Sequence, residues 1–208
     1  LEEMEEVTRL RRDQINKALS GKRTALAQKF NMKLMQALIP MGLPNVRFKV
    51  QLIPTDPNKY GSDAVEFLFS ANPGHDLAPL CEVASGGEMS RFLLALKSVL
   101  CNIDSSITLL FDEIDSGVSG RVSSAIAQVL KDLSANRQVF CITHQPLIAA
   151  VADHHFLVVK SVEAGITRSD VLHLSNFQDR QSELAELAGG DSDETRAYAA
   201  SLLEHKAA

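Results

Sequence analysis

The stretch Ile107-Thr108-Leu109-Leu110-Phe111-Asp112-Glu113 sets an apolar run directly before two carboxylates. Short apolar runs of this kind fit strands covered on both faces, as in a parallel sheet. In open α/β sheets the ligand crevice lies beyond the carboxyl ends of the strands. Asp112 then falls where a Mg²⁺–phosphate group would be held, because a hard cation takes oxygen ligands directly or through water. Glu113 stands one residue further out, placed to polarise an attacking water. A strand that merely ends in a polar turn would carry the same pair, so this signal needs company.

Two further constellations supply it. Ser85-Gly86-Gly87-Glu88 opens a helix predicted to run from Gly86 to about Leu100. Ser85 with Glu88 fits a capping box, which accounts for those two residues but not for the glycines. Each glycine in a helix costs roughly 1 kcal/mol against alanine, so glycine at this start points to close approach of something to the backbone. Bare N–H groups at a helix N-terminus form an anion site, and a phosphate meets both conditions. His144 follows the apolar run Val139–Ile142, again at the predicted carboxyl edge of a strand. A lone histidine is commonly structural, but here it comes one strand after the carboxylate pair.

The elements that must position these residues can be read from periodicity. Residues 1 to about 39 lack proline before Pro40 and place Met4, Val7, Ile15, Leu19, Leu26, Phe30, Leu34 and Leu38 at roughly helical spacing. At ~1.5 Å per residue this helix would run roughly 58 Å. It is either one strand of a coiled coil or an amphipathic helix packed along a domain. Pro40, Gly42 and Pro44 end it. Val46, Phe48, Val50 and Leu52 then alternate as a half-buried strand. Pro54–Asp63 is expected as a loop, and Ala64–Ser70 as the return strand. From Ser85 the order is helix, strand, helix, strand, helix, strand, with Ile107–Phe111 and Gln138–Thr143 as the buried strands. Phe156–Lys160 and Ile166–Leu174 are expected as a closing hairpin. Two helices, about Gln178–Ala188 and Glu194–Glu204, flank Gly189-Gly190.

The order of these signals resembles the ABC ATPase family. The resemblance assigns Ser85, Gly86, Gly87 and Glu88 as the signature motif, Asp112-Glu113 as the end of Walker B, Asp115-Ser116-Gly117 as the D-loop and His144 as the switch histidine. Within that family, Phe111–Gly120, Thr143-His144-Gln145-Pro146, Ala152-Asp153-His154-His155 and Glu186–Gly190 are similar to the RecN type of SMC-like DNA-repair ATPase. The resemblance implies an α/β fold: the C-terminal lobe of an ABC-type ATPase head, with a largely parallel sheet flanked by helices. A long coiled-coil-like helix (residues 1–39) and a β-hairpin precede or open the lobe (residues 40–208). It further implies ATP and Mg²⁺ as cofactors, with Glu113 and His144 catalytic and Asp112 on the metal side. The signature would act in trans on nucleotide held by a second head of a homodimer. DNA is the implied partner of the complete protein, in a bacterial, nucleoid-associated cytoplasmic setting.

One family part is missing. A phosphate-binding loop needs Gly-x-x-x-x-Gly-Lys followed by Ser or Thr. Gly21-Lys22 is followed by Arg23, is preceded by Asn16 at the first glycine position, and lies inside the long helix. The chain also opens on Leu1 in mid-helix pattern, without an initiator Met. It reads as a segment whose partner is an N-terminal lobe carrying that loop, and as a doubtful ATPase alone. Two rivals remain: a piece of an ABC transporter nucleotide-binding domain, and a dimerisation lobe that clamps nucleotide without hydrolysing it. A transporter usually carries its phosphate loop in the same chain, upstream of the signature. A pure clamp has no use for Glu113.

Composition excludes other classes. With 208 residues and 45% apolar content the chain can bury a core. Its net charge of −5 offers no overall basic footprint, so any DNA contact must come from a local patch or another part of the protein. Cys81, Cys101 and Cys141 form no CxxC pair and read as free thiols in a reducing compartment. Asp112–Ser123 fails as an EF-hand loop, with Ile114 third and Ser123 twelfth. Asp153-His154-His155 lacks further ligands at zinc spacing.

Overall fold

The computed structural model describes residues 2–70, 74–80, 86–100, 108–163 and 166–205. Ser85, Ile107, Cys81, Cys101 and the tip Ala164-Gly165 of the expected closing hairpin lie outside them. The chain divides into two compact units, Leu1–Val99 and Leu100–Ala208.

In the first unit, helix α1 spans Glu2–Leu38. Its end is set by Pro40 in a 3-10 turn, Ile39–Met41, and by Gly42, whose φ of 76° lets its N–H reach the Ile39 carbonyl. Leu34 and Leu38 are fully buried. Phe30 meets Phe48 edge-on at 6.1 Å between ring centroids, Phe48 packs on Phe92 at 5.4 Å, and Phe92 meets Phe69 at 5.3 Å. These rings join α1 to strands β1 (Arg47–Asn58) and β2 (Gly61–Ser70) and to helix α2 (Gly86–Val99). Each such pair adds about 0.5–1.5 kcal/mol beyond the area it buries.

The expected loop at Pro54–Asp63 is corrected: the strands continue to a tight turn at Lys59-Tyr60. Pro54 pairs with Asp63 and Asn58 with Gly61. A register irregularity between Pro54 and Asn58 accommodates Pro57, which has no N–H to give the ladder. Asn58 Oδ1 accepts the Tyr60 N–H at 2.8 Å, a side-chain-closed turn. A two-residue strand, β3 (Ala78–Pro79), adds to β2 and was not expected.

The turn is also fastened to α1. Ser20 Oγ lies 2.7 Å from both Asp63 carboxylate oxygens, Arg23 pairs with Asp63 at 3.0 Å, and Arg23 donates to the Tyr60 carbonyl at 2.7 Å. Gly61 has φ of 110°, and a Cβ there would stand 2.9 Å from Leu19 Cδ2. The positive φ therefore favours glycine where helix and hairpin meet, and a Cβ there would push the Leu19 side chain aside.

The second unit is an α/β lobe. Strand β4 (Leu109–Phe111) pairs in parallel with β5 (Val139–Cys141), with Leu109, Leu110 and Phe111 opposite Val139, Phe140 and Cys141. The crossover is helix α3 (Gly120–Ser134), which buries Ile126, Ala127, Leu130 and Leu133 at helical spacing. Short helix α4 (Pro146–Ala150) follows β5. Strands β6 (His155–Glu163) and β7 (Ile166–Leu174) form an antiparallel hairpin in register from His155–Leu174 to Glu163–Ile166. Helices α5 (Phe177–Leu187) and α6 (Asp193–His205) close the chain. Ala149, Ala150, Ala185 and Ala199 sit with Leu184 and Leu203 where α4, α5 and α6 meet, and the small residues permit close approach. Among the described residues no helix is long and apolar enough to cross a membrane.

Asp63 gives the α1–hairpin junction a pH dependence. The Ser20 hydroxyl first, and then Arg23, hold its carboxyl below the usual carboxylate range. A depressed folded-state pKa contributes stability that is complete above the unfolded value of about 3.9 and is lost as pH falls through the folded value. Asp63→Asn should therefore lower the melting temperature at pH 7, and the difference from wild type should shrink as the pH is taken below about 4. A variant-to-wild-type difference that stays constant from pH 7 to pH 3 would remove this carboxylate from the junction's energetics.

Candidate functional site

The parallel pair β4–β5 brings two of the three sequence-identified constellations to one edge. Asp112 and Glu113 follow β4, and Thr143 and His144 follow β5 after Ile142, whose N–H donates to the Phe111 carbonyl at 2.9 Å. Asp112 and Glu113 are both exposed. Asp112 Oδ1 accepts the Glu113 N–H at 2.9 Å, and the Glu113 carbonyl accepts the Ser116 N–H at 3.2 Å, so a tight turn begins as the strand ends. Glu113 has φ of 55°, the only positive φ outside glycine among the described residues. A side chain in that region costs roughly 1–2 kcal/mol. Such strain persists where the surroundings fix it, and it collects at functional positions.

Ile114 is fully buried beneath this turn, and Asp115 is 2% exposed. Asp115 Oδ2 accepts from the Thr143 hydroxyl and from the His144 backbone N–H at 2.8 Å, and His144 Nδ1 lies 3.1 Å from it. The Thr143 oxygen in turn accepts the Gln145 N–H at 3.0 Å. Gln145 Nε2 stands 3.5 Å from His144 Nε2, and its Oε1 stands 3.5 Å from Ser123 Oγ on α3. Ser116 and Gly117 are exposed on the rim, and Gly117 turns the chain with φ of 68°.

The edge is strongly negative. Cys141, at the end of β5, has its thiol pushed up to about 12, first by burial and then by the charges of Asp115 and Asp112. Exposed carboxylate oxygens in a negative field fit a hard divalent cation that completes its shell with phosphate and water. Among the described residues no three His, Cys, Asp or Glu side chains converge to cage a metal by themselves.

The third constellation lies in the other unit. Gly86 and Gly87 are the first residues of α2, in regular helix, with Glu88 half-buried behind them. Both glycines lie within the first turn of the helix. Ser85 lies outside the described residues.

Sequence reasoning placed Asp112, Glu113, Asp115 and His144 but gave no role to Thr143, Gln145 or Ser123. Their signal was a hydroxyl and an amide flanking the histidine. It becomes legible only once Asp115 is seen to be buried facing them.

Comparison with known proteins adds to this geometry. Residues 83–150 match a family model described as "AAA domain, putative AbiEii toxin, Type IV TA system". A DNA repair protein RecN from Synechocystis is 46% identical over 202 residues, covering 89% of this chain and 35% of the relative. RecN of Treponema pallidum is 42% identical over 183 residues (85% and 32%), and that of Halalkalibacterium halodurans is 35% identical over 211 residues (98% and 37%). The chain thus spans about a third of the length of the curated relatives it matches. In fold it is similar to the Smc head domain with coiled coil and joint from Pyrococcus yayanosii. That likeness has a TM-score of 0.55 at 22% identity, over 85% of this chain and 32% of that one.

Glu113 should show a conflict between stability and chemistry. Glu113→Gly relieves the positive φ and should raise unfolding stability by up to about 1 kcal/mol, read from urea denaturation of the 208-residue chain. Glu113→Gln, which keeps a Cβ, should leave stability near wild type. A destabilised glycine variant would show that the turn is not strained.

Proposed function

Since this chain belongs to the RecN family of SMC-like ATPases, we propose that it is the C-terminal half of an ATP-hydrolysing head, with residues 1–39 as a returning coiled-coil strand and 40–208 as the lobe. The observation that carries the reading is the Asp112–Glu113 pair, exposed at the carboxyl edge of a parallel strand pair beside His144. A second observation supports the missing half. Parallel strands are normally covered on both faces, yet Leu110 is 68%, Phe140 46% and Ile142 58% exposed along one face of β4–β5. An N-terminal lobe bearing the phosphate loop would cover them.

In this reading, bound ATP with Mg²⁺ supplies the γ-phosphate and neutralises its charge. Asp112 holds the metal side. Glu113 orients the attacking water and takes its proton at the carboxylate. His144 contacts the γ-phosphate. Ser85, Gly86, Gly87 and Glu88, at the start of α2, present backbone N–H groups to nucleotide held by a second head. Asp115, Ser116 and Gly117 form the D-loop. Positioning and charge neutralisation are what phosphoryl transfer requires, and closure between two heads would also exclude bulk water. The activity would serve DNA double-strand break repair in the bacterial cytoplasm.

The DNA contact has a local basis despite the acidic total. Between Val7 and Thr55 the chain carries Arg9, Arg11, Arg12, Lys17, Lys22, Arg23, Lys29, Lys33, Arg47 and Lys49 against Asp13 alone. On α1 one seam steps by threes and fours through Met4, Val7, Arg11, Ile15, Ala18, Lys22, Leu26, Lys29 and Lys33, and all nine are exposed. Its first half is mainly apolar and suits a coiled-coil partner helix. Its second half is mainly basic and suits a phosphate backbone.

Two experiments test these assignments. The 208-residue chain alone should hydrolyse no ATP above background. In the complete protein, Glu113→Gln should keep ATP binding, slow turnover by ~10²–10⁴ and accumulate an ATP-bound dimer visible by light scattering. Near wild-type turnover would reject Glu113 as the base and favour the clamp. For DNA, Lys22→Gln, Lys29→Gln and Lys33→Gln together should weaken binding for all sequences alike. The slope of log affinity against log salt should shrink by about 3, and an unchanged slope would exclude this seam.

A further inference from the structure

Asp115 is the least exposed charged residue described in the second unit, and its bonds point in one direction. Two donors converge on a single oxygen, Oδ2, the Thr143 hydroxyl and the His144 backbone N–H, and His144 Nδ1 stands 3.1 Å from the same oxygen. A buried carboxylate is costly unless hydrogen-bonded, so these donors are what the fold supplies to keep it there. All of them belong to the turn that carries His144, within the same unit.

The close approach of Nδ1 to this oxygen has a chemical consequence. A carboxylate can only accept, so the proton of the neutral imidazole must sit on Nδ1, leaving Nε2 with a lone pair. The Gln145 side-chain nitrogen, which can only donate, faces His144 Nε2 at 3.5 Å. The His144 side chain is 66% exposed, so Nε2 is presented outward while Nδ1 is anchored below. Nε2 then faces outward as an acceptor, able to take a hydrogen bond from a water or hydroxyl beside the phosphate.

We propose that Asp115 is a positioning residue for His144, fixing its ring orientation and its Nδ1–H tautomer from within the same head. It does not act by reaching across to a second head. The kinetic part rests on the reading of His144 as the phosphate-contacting residue, and the tautomer part does not. Ser116 and Gly117, exposed on the rim beside it, remain the residues of this loop able to meet another molecule.

Nitrogen-15 NMR of histidine-labelled 208-residue chain reads the tautomer directly. His144 should show a pyrrole-like Nδ1 and a pyridine-like Nε2. Asp115→Ala should abolish that preference, while Asp115→Asn, whose side-chain oxygen can still accept from Nδ1–H, should retain it at least in part. An Nε2–H tautomer or an even mixture in the wild-type chain would overturn the proposal, even if Asp115→Ala failed to fold. In the complete protein, Asp115→Ala should lower kcat about 10–100-fold with KM for ATP changed less than about twofold. Combined with His144→Ala it should add nothing to the loss from His144→Ala alone, because both act through one ring. Multiplying losses would refute action through His144. If His144→Ala by itself left turnover intact, the phosphate-contact reading would fall, while the tautomer measurement would still decide the role of Asp115.

Discussion

Both turns at the carboxyl edge of β4 and β5 are fastened to one buried oxygen, Oδ2 of Asp115. Hydrogen bonds to a charged acceptor are each worth about 1.5–3 kcal/mol, and a buried donor left without its partner costs a comparable amount. The exit from β5, which carries His144, is therefore held in place by Asp115. Glu113 is held at a positive φ only because Asp112 before it and Ser116 after it are tied into the same turn. The parallel pairing sets the coarse placement, with Phe111 opposite Cys141, and the buried carboxylate sets the fine placement.

The surfaces that stay open are as informative as those that close. One face of β4–β5 exposes Leu110, Phe140 and Ile142. One face of the β6–β7 hairpin exposes Phe156, Val158, Val162 and Val171. Isolated two-stranded sheets are marginal in water, and apolar faces of this extent are usually interaction surfaces. The fully buried residues lie elsewhere, around the phenylalanines of the first unit, at Ile114 and Ile126, and at the alanine-rich junction of α4, α5 and α6. The division fits a lobe that holds its own frame and completes its sheet against another part of the protein.

Much of this was legible in the residues. The proline-free run up to Pro40 gave the long helix to within a residue or two, because helix breakers act locally. The strands β4 and β5 and their edge residues followed from short apolar runs with polar ends. The closing hairpin and the last two helices also stood where periodicity placed them. The hairpin tip did not, because Pro54, Pro57, Asn58 and Gly61 carry the composition of a loop. Their strand pairing depends on a register irregularity and on the helix lying against the turn, which is tertiary context. The carboxylate at Asp115 could be seen, but not that it was buried. Its partners Thr143 and His144 are distant in sequence, and no periodicity encodes a bond between two turns. The start of α2 was expected to admit a close ligand, and the residue before it, Ser85, lies outside the described structure.

The junction of Ser20 and Arg23 with the hairpin turn makes helix α1 a beam clamped at two stations. One clamp is the Leu34–Leu38 end set in the core, and the other is the polar lock at Asp63 and Tyr60. At ~1.5 Å per residue these stations stand about 20 Å apart, and about 27 Å more overhangs beyond Ser20 towards Glu2. A rod held at one end swivels, whereas a rod held at two points must carry a bending moment. Any tilt of the hairpin is then delivered undiminished to the overhanging end, and any pull on that end arrives at the hairpin as torque.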